Sequence, residues 1–205
     1  MAPFSPVSEF RRVLASLNCD GRWGLALALA CLALLVPELA GDAGRAALRY
    51  ERDGLAAGEW WRLVTGHFVH LGVEHALLNA LGLTLMWALF ARDYRPSAWL
   101  LILTSAIVAI DLGLWTRDST VRWYVGSSGA LHGILAAGTL AHLRRRDFDG
   151  WILAVFLIAK LGYEQWSGAL PFAGGNMAVV VDAHLYGALG GLAAAAALTP
   201  NREPL

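Results

Sequence analysis

A serine and a histidine in two separate apolar segments are the residues whose chemistry is easiest to define. Ser128 lies between Gly126 and Gly129 at the start of one apolar segment, and His184 lies in another. A serine hydroxyl needs an adjacent base to attack a carbonyl carbon, and imidazole is the usual base. Ser128 and His184 are therefore predicted to form a nucleophile and base pair once the two segments pack together.

Glycines four residues apart predict that these two segments pack closely. Gly129 and Gly133 lie in the serine segment, and Gly187 and Gly191 lie in the histidine segment. Small residues at this spacing allow the backbones of membrane helices to approach each other. The pattern taken alone is also typical of ordinary helix packing.

A second polar pair fits the stabilisation of a reaction intermediate. His75 and Asn79 are four residues apart, so on one helix they share a face, and both can donate hydrogen bonds. With the backbone N–H of Ser128 they are predicted to form an oxyanion hole. The alternative is a buried hydrogen-bonded pair that ties its helix to its neighbours.

The composition is that of a membrane protein. Of the 205 residues, 57% are hydrophobic and 16% are charged, which is more apolar surface than a soluble domain of this length can bury. Basic and acidic residues number 16 each, so charge gives no reason to expect a nucleic-acid partner. The lipid bilayer is the expected partner, and no cofactor or metal is predicted.

The apolar segments predict an all-α, polytopic membrane protein with six transmembrane helices. The predicted domain occupies residues 23–198, between a cytoplasmic N-terminal segment, 1–22, and a cytoplasmic tail, 199–205. At a rise of about 1.5 Å per residue most of the segments approach bilayer length, whereas the fourth and fifth are short. The predicted spans are Trp23 to Leu39, His67 to Phe90, Ser97 to Trp115, Ser128 to Leu143, Trp151 to Leu161 and Val179 to Leu198.

Arginines predict the orientation of these spans. The triplet Arg144 to Arg146 follows the fourth span, and basic residues in cytoplasmic loops favour an orientation with both termini inside. Spans two, four and six then enter from the outer face. The polar residues near their starts are His70, His75 and Asn79 in span two, Ser128 in span four and His184 in span six. Polar groups are costly in a bilayer, so their common depth favours a functional site.

In order and spacing, several motifs resemble those of the rhomboid family of intramembrane serine proteases. The resemblance implies a six-helix rhomboid-like bundle in which Ser128 is the nucleophile, His184 the base, and His75 and Asn79 the oxyanion donors. It also implies a structural or water-retaining role for His70 and a capping role for the segment Gly162 to Ala178. The matching residues are Trp61-Arg62, Thr65, His70, His75, Asn79, Gly126, Ser128, Gly129, Ala183, His184 and Gly187.

Other details resemble the rhombosortase branch of that family. They are the compact length, the stretch Trp61 to Phe68, the sequence Leu131-His132-Gly133, and the stretch Val181 to Gly187. The resemblance implies cleavage of secreted bacterial proteins that end in a Gly-Gly motif, a membrane helix and a basic tail. It places the chain in the bacterial inner membrane, with its site open to the periplasm. The acyl group then passes either to water or to an amine acceptor, and these residues do not distinguish the two.

The neighbours of the catalytic pair are less clearly assigned. Asp182 precedes His184 by two residues and points away from it on a regular helix, which predicts a dyad rather than a triad. His132 follows Ser128 by one turn, so it either contacts the catalytic pair or substrate or is a hydrogen-bonded core histidine. Lys160 and Glu164, one turn apart, can pair with each other.

Other interpretations remain to be compared with the structure. One is a general rhomboid protease that cleaves other transmembrane helices, and another is a non-catalytic rhomboid-like binding protein, although such proteins usually lack the serine or histidine. A third is a metal or haem membrane protein. It fits poorly, because three of its histidines spread over more than about 100° of one helix, and it leaves Ser128 unexplained. Its ligands would come from His67, His70, His75 and His184.

Overall fold

The computed structural model of the protein describes residues 6–170 and 179–201. The ends of the predicted terminal segments and residues 171–178 of the predicted cap lie outside the described residues. The first part of the chain forms α1 (Pro6–Ser16), α2 (Gly21–Leu35), a 3-10 helix (Val36–Ala40), α3 (Gly41–Leu48), β1 (Tyr50–Glu51), α4 (Arg52–Ala56) and α5 (Arg62–Thr65). It continues with α6 (Val73–Phe90), α7 (Pro96–Thr116), β2 (Trp123–Tyr124), α8 (Ser128–Arg145), α9 (Phe148–Ser167) and α10 (Val181–Ala196).

Among the residues that the structure describes, three helical stretches are long and apolar enough to cross a bilayer. They are Gly21–Leu48, Val73–Phe90 and Pro96–Thr116, which contain the first three predicted spans apart from residues 67–72. Helices α8, α9 and α10 follow at the places of the last three predicted spans. The mostly helical architecture is as predicted, and the crossing of the membrane by all six helices remains a prediction.

Two helix boundaries differ from the sequence-based expectation. The second predicted span begins at His67, but α6 begins at Val73, because Gly72 adopts a φ of 122° and the chain turns before the helix. The fifth predicted span is short, but α9 has 20 residues. Its last turns carry the polar Glu164, which is buried against other helices rather than exposed to lipid. A polar residue therefore does not end this helix.

The predicted close packing between α8 and α10 is confirmed. A Cβ atom on Gly187 would lie 2.0 Å from the carbonyl oxygen of Gly129, and one on Gly191 would lie 2.3 Å from that of Gly133. Real Cβ atoms cannot approach so closely, so only glycine allows the two backbones to meet here. The helix that begins at Ser128 is thereby held directly against the helix that carries His184.

The segment between α2 and α6 supports the end of the bundle at which Ser128 lies, where it also pairs with the strand before α8. Strands β1 and β2 pair antiparallel, with Tyr50 opposite Tyr124. Arg62 is buried and donates hydrogen bonds to the carbonyl oxygens of Ala46 and Arg49, both at 2.9 Å. These bonds satisfy backbone groups that would otherwise be unpaired at the ends of short helices. The arginine of the Trp61-Arg62 motif thus organises this segment.

Candidate active site

Ser128 is the first residue of α8, and the chain before it is fixed by buried polar contacts. Gly126 has a φ of 112°, and a Cβ atom there would lie 3.0 Å from the imidazole Cε1 of His75. The Gly126 N–H donates to the carbonyl oxygen of Gly66 at 3.0 Å, and the Tyr124 hydroxyl donates to the Gly126 carbonyl at 2.7 Å. A side chain at Gly126 would therefore disturb both the turn and His75.

The structure brings the predicted nucleophile and base together. Ser128 Oγ lies 2.9 Å from His184 Nε2, within hydrogen-bond distance. His184 is 4% exposed and lies on the face of α10 that packs on α8. Gly129 contacts the backbone of α10 next to His184, since a Cβ atom at Gly129 would be 2.8 Å from the carbonyl oxygen of Ala183. Gly129 thus sets the separation that lets the serine reach the imidazole.

A carboxylate that was not predicted as part of the site contacts the other side of His184. Nδ1 of His184 lies 3.0 Å and 3.1 Å from the two carboxylate oxygens of Glu164. The predicted pairing of Glu164 with Lys160 is present as well, at 2.7 Å. The expectation of a dyad without an acidic partner differs from this geometry. The acid comes from α9 rather than from the helix of His184, so spacing along one helix gave no signal for it.

His132 contacts the imidazole of His184 face to face. The two rings are stacked, with centroids 4.2 Å apart and an angle of 19° between their planes. His132 Nδ1 lies 2.7 Å from the carbonyl oxygen of Ser128, so this nitrogen carries a hydrogen and donates it. Of the two predicted possibilities, the structure shows contact with His184 and a local hydrogen bond together.

His75 and Asn79 lie on α6 and line the same cavity as Ser128 and His184. The cavity has a volume of about 530 Å³ and is otherwise lined mainly by apolar side chains. Leu71 N–H donates to Nδ1 of His75, so the imidazole hydrogen resides on Nε2. The amide nitrogen of Asn79 donates to the His75 carbonyl at 2.9 Å and keeps a second hydrogen. Each side chain therefore has a donor that is not used by these bonds.

His70 and His67 lie beside the cavity rather than in it. His70 Nε2 is 3.1 Å from the hydroxyl oxygen of Ser127, and both residues are buried. This contact joins the chain before α6 to the residue before Ser128, as expected of a structural role. His67 Nε2 lies 3.2 Å from Asp111 Oδ1. Asp111 is a buried residue of α7, so this contact gives its carboxylate a partner inside the protein.

The histidines do not form the ligand set of the alternative metal or haem site. His67 and His70 are held by Asp111 and Ser127, as described above. Within the described residues, the groups close enough to share an ion are His132, Glu164 and His184, and separately His142, Asp147 and Asp149. In the first group, the ammonium of Lys160 already occupies the carboxylate of Glu164. A cation there would compete with a fixed positive charge.

Comparison with known proteins identifies the family of the chain. The model of the Rhomboid domain family matches residues 57–201. The chain is 28% identical over 138 residues to "Putative rhomboid protease YdcA" of Bacillus subtilis (strain 168), which covers 67% of each chain. It is 31% identical over 152 residues to "Rhomboid protease GluP" of the same organism, covering 72% of this chain and 28% of that relative.

A plant protein is also similar over a shorter stretch. "RHOMBOID-like protein 9, chloroplastic" of Arabidopsis thaliana is 34% identical over 87 residues, which cover 42% of this chain and 19% of that relative. No solved structure matches the chain significantly. The family match includes α6 to α10 and every residue of the cavity named above. The chain therefore belongs to the rhomboid family and is an intramembrane serine protease.

Proposed function

We propose that this protein cleaves the C-terminal membrane anchors of secreted bacterial proteins, with Ser128 as nucleophile and His184 as general base. The observation that carries the catalytic part is the distance of 2.9 Å between Ser128 Oγ and His184 Nε2. An imidazole at this distance can take the hydroxyl proton as the oxygen attacks a carbonyl carbon.

The proposed reaction begins with transfer of the Ser128 proton to His184 Nε2 while the Oγ–C bond forms. Negative charge develops on the carbonyl oxygen of the substrate, and the unused donors of His75 and Asn79 stabilise it together with the Ser128 backbone N–H. The C–N bond then breaks, and His184 returns the proton to the leaving amine. Water or an amine acceptor then attacks the acyl carbon and gives a proton to His184, the Oγ–C bond breaks, and His184 returns the proton to Ser128 Oγ.

The proposed substrates carry a Gly-Gly motif, a membrane helix and a basic tail. Support comes from the sequence features that resemble the rhombosortase branch, including His132 and the stretch Val181 to Gly187. Glycine suits such a site, because it lowers helix stability and has no side chain to obstruct the approach of the peptide backbone to Ser128. The bacterial inner membrane, with the site open to the periplasm, is the proposed location.

Cleavage of a designed fusion tests this proposal. A reporter with a C-terminal Gly-Gly motif, an apolar helix and a basic tail is co-expressed with the protein or with its Ser128→Ala variant. We expect a new C-terminus, identified by mass spectrometry, only with the unmodified protein. An added mass at that terminus would show transfer to an amine.

The same experiment separates the competing functions. A general rhomboid substrate is tested beside the Gly-Gly fusion. If only the general substrate is cleaved, and its cleavage requires Ser128, the proposed substrate class is contradicted but the protease activity is established. Failure to cleave either substrate would favour a binding-only protein.

A further inference from the structure

Glu164 is the buried carboxylate closest to the proposed base. It is 1% exposed, lies near the end of α9, and has both oxygens within 3.1 Å of Nδ1 of His184. A buried charge is costly unless other groups compensate it. Lys160 compensates part of this charge at 2.7 Å, one helical turn earlier. The remaining hydrogen-bonding capacity of the carboxylate is directed at the imidazole.

This contact determines which nitrogen of His184 carries its hydrogen. An ionised carboxylate only accepts hydrogen bonds, so Nδ1 must be the donor. Nε2 of the neutral ring then has a free lone pair, and it faces Ser128 Oγ at 2.9 Å. This is the tautomer that can accept the serine proton. The opposite tautomer would leave Nε2 unable to act as a base.

We propose that Glu164 is a positioning residue that completes a Ser128–His184–Glu164 triad across α8, α10 and α9. It holds the tautomer of His184 and stabilises the imidazolium formed when Nε2 takes the Ser128 proton. The Nδ1 hydrogen stays on the ring, and Glu164 stays ionised throughout. Lys160 holds the carboxylate in place, and His132 packs on the ring face and limits its rotation. The inference rests on the proposed function of Ser128 and His184.

The test compares Glu164→Gln with variants that separate this role from simple charge balance. The Lys160→Met/Glu164→Gln double variant removes both charges and leaves no unpaired buried ion. Asp182→Asn is the matched control, because Asp182 lies on the helix of His184 and makes no hydrogen bond to it among the described residues. Thermal unfolding in detergent establishes that each variant is folded.

The main readout is the rate at which a fluorophosphonate labels Ser128, which requires no known substrate. We expect the maximal labelling rate to fall at least about 100-fold in Glu164→Gln and in the double variant, as when the acid of a serine-protease triad is replaced. The half-saturating probe concentration should change little, and Asp182→Asn should label like the unmodified protein. A wild-type rate in Glu164→Gln, or recovery of that rate in the double variant, would overturn the inference.

A second readout uses the unmodified protein. Nitrogen-15 NMR of histidine, with the His184 signals assigned by comparison with His184→Asn, should show hydrogen on Nδ1 and none on Nε2 in the neutral ring. The opposite tautomer would overturn the role of Glu164 even if Ser128 is labelled. Absence of Ser128 labelling in the folded, unmodified protein would instead overturn the proposed function, and this inference with it.

Discussion

At the scale of single residues, the site depends on which donors and acceptors remain free after structural contacts are made. His75 uses Nδ1 to accept from Leu71, which leaves the Nε2 hydrogen for another partner. The side-chain amide oxygen Oδ1 of Asn79 is buried and has no partner among the described residues, while the side-chain amide nitrogen donates to the His75 carbonyl. Unpaired polar groups in a buried cavity are costly, and they are often retained where a ligand completes them.

Removal of the Asn79 amide tests the oxyanion assignment. We expect Asn79→Ala to lower kcat by about 100-fold with a small change in KM, because the donor acts mainly on charge that develops in the transition state. Cleavage rates measured in detergent over a range of substrate concentrations would show this. Thr84→Ala is the matched control, since its hydroxyl donates to Ala80 in the same helix. Equal kcat values for Asn79→Ala and the control would contradict the assignment.

At the scale of elements, the separation of α8 and α10 sets the distance between serine and histidine. The glycine contacts leave no room for a methyl group at this interface. We expect Gly187→Ala to lower the free energy of unfolding by about 1–3 kcal/mol and to reduce cleavage, because overpacking forces the helices apart. Thermal unfolding and cleavage assays in detergent measure both effects.

A glycine in a neighbouring helix provides the control for this prediction. Gly162 lies in α9, and a Cβ atom there would meet nothing within 4 Å. Gly162→Ala should keep full stability or gain up to about 1 kcal/mol from the better helix propensity of alanine. If Gly187→Ala behaved like Gly162→Ala, the close packing of α8 and α10 would not control the site.

Contacts within one helix or between glycine-rich helices were predictable from the sequence, but contacts between distant elements were not. The four-residue spacing of Gly129 and Gly133, and that of Gly187 and Gly191, predicted the close packing of α8 and α10. The spacing of Lys160 and Glu164 predicted their pairing. The contact of Glu164 with His184 depends on how α9 lies beside α10, which no local pattern encodes. The turn before α6 was likewise missed, because a single glycine such as Gly72 is compatible with a helix as well as with a turn.

At the scale of the whole molecule, the distribution of charge predicts the orientation in the membrane. Arg144 donates to the carbonyl oxygens of Ala195, Ala196 and Leu198 at the end of α10. These bonds satisfy backbone carbonyl groups at the C-terminus of α10. The helix dipole also favours a positive charge at this end of a helix. Arg144 is thus part of the fold at the end of α8 opposite Ser128. The arginine triplet to which it belongs favours the cytoplasmic side.

Cysteine labelling tests this orientation. In a Cys31→Ser background expressed in bacterial cells, Cys19 is expected to react with a membrane-impermeant maleimide only after the membrane that holds the protein is opened. In a second protein that lacks both native cysteines, Ser119→Cys, an exposed position between α7 and β2, should react in intact spheroplasts. The reverse pattern would contradict a cytoplasmic N-terminus and an outward-facing site.

The most direct measurement of the central claim is covalent labelling of the purified protein by a fluorophosphonate, with the modified residue identified by mass spectrometry. Only an activated serine reacts quickly with such a probe. We predict a single adduct on Ser128 that is lost in His184→Asn, although that variant remains folded. A folded protein without this adduct, or one whose Ser128 labels equally well without His184, would contradict the assignment of the catalytic pair.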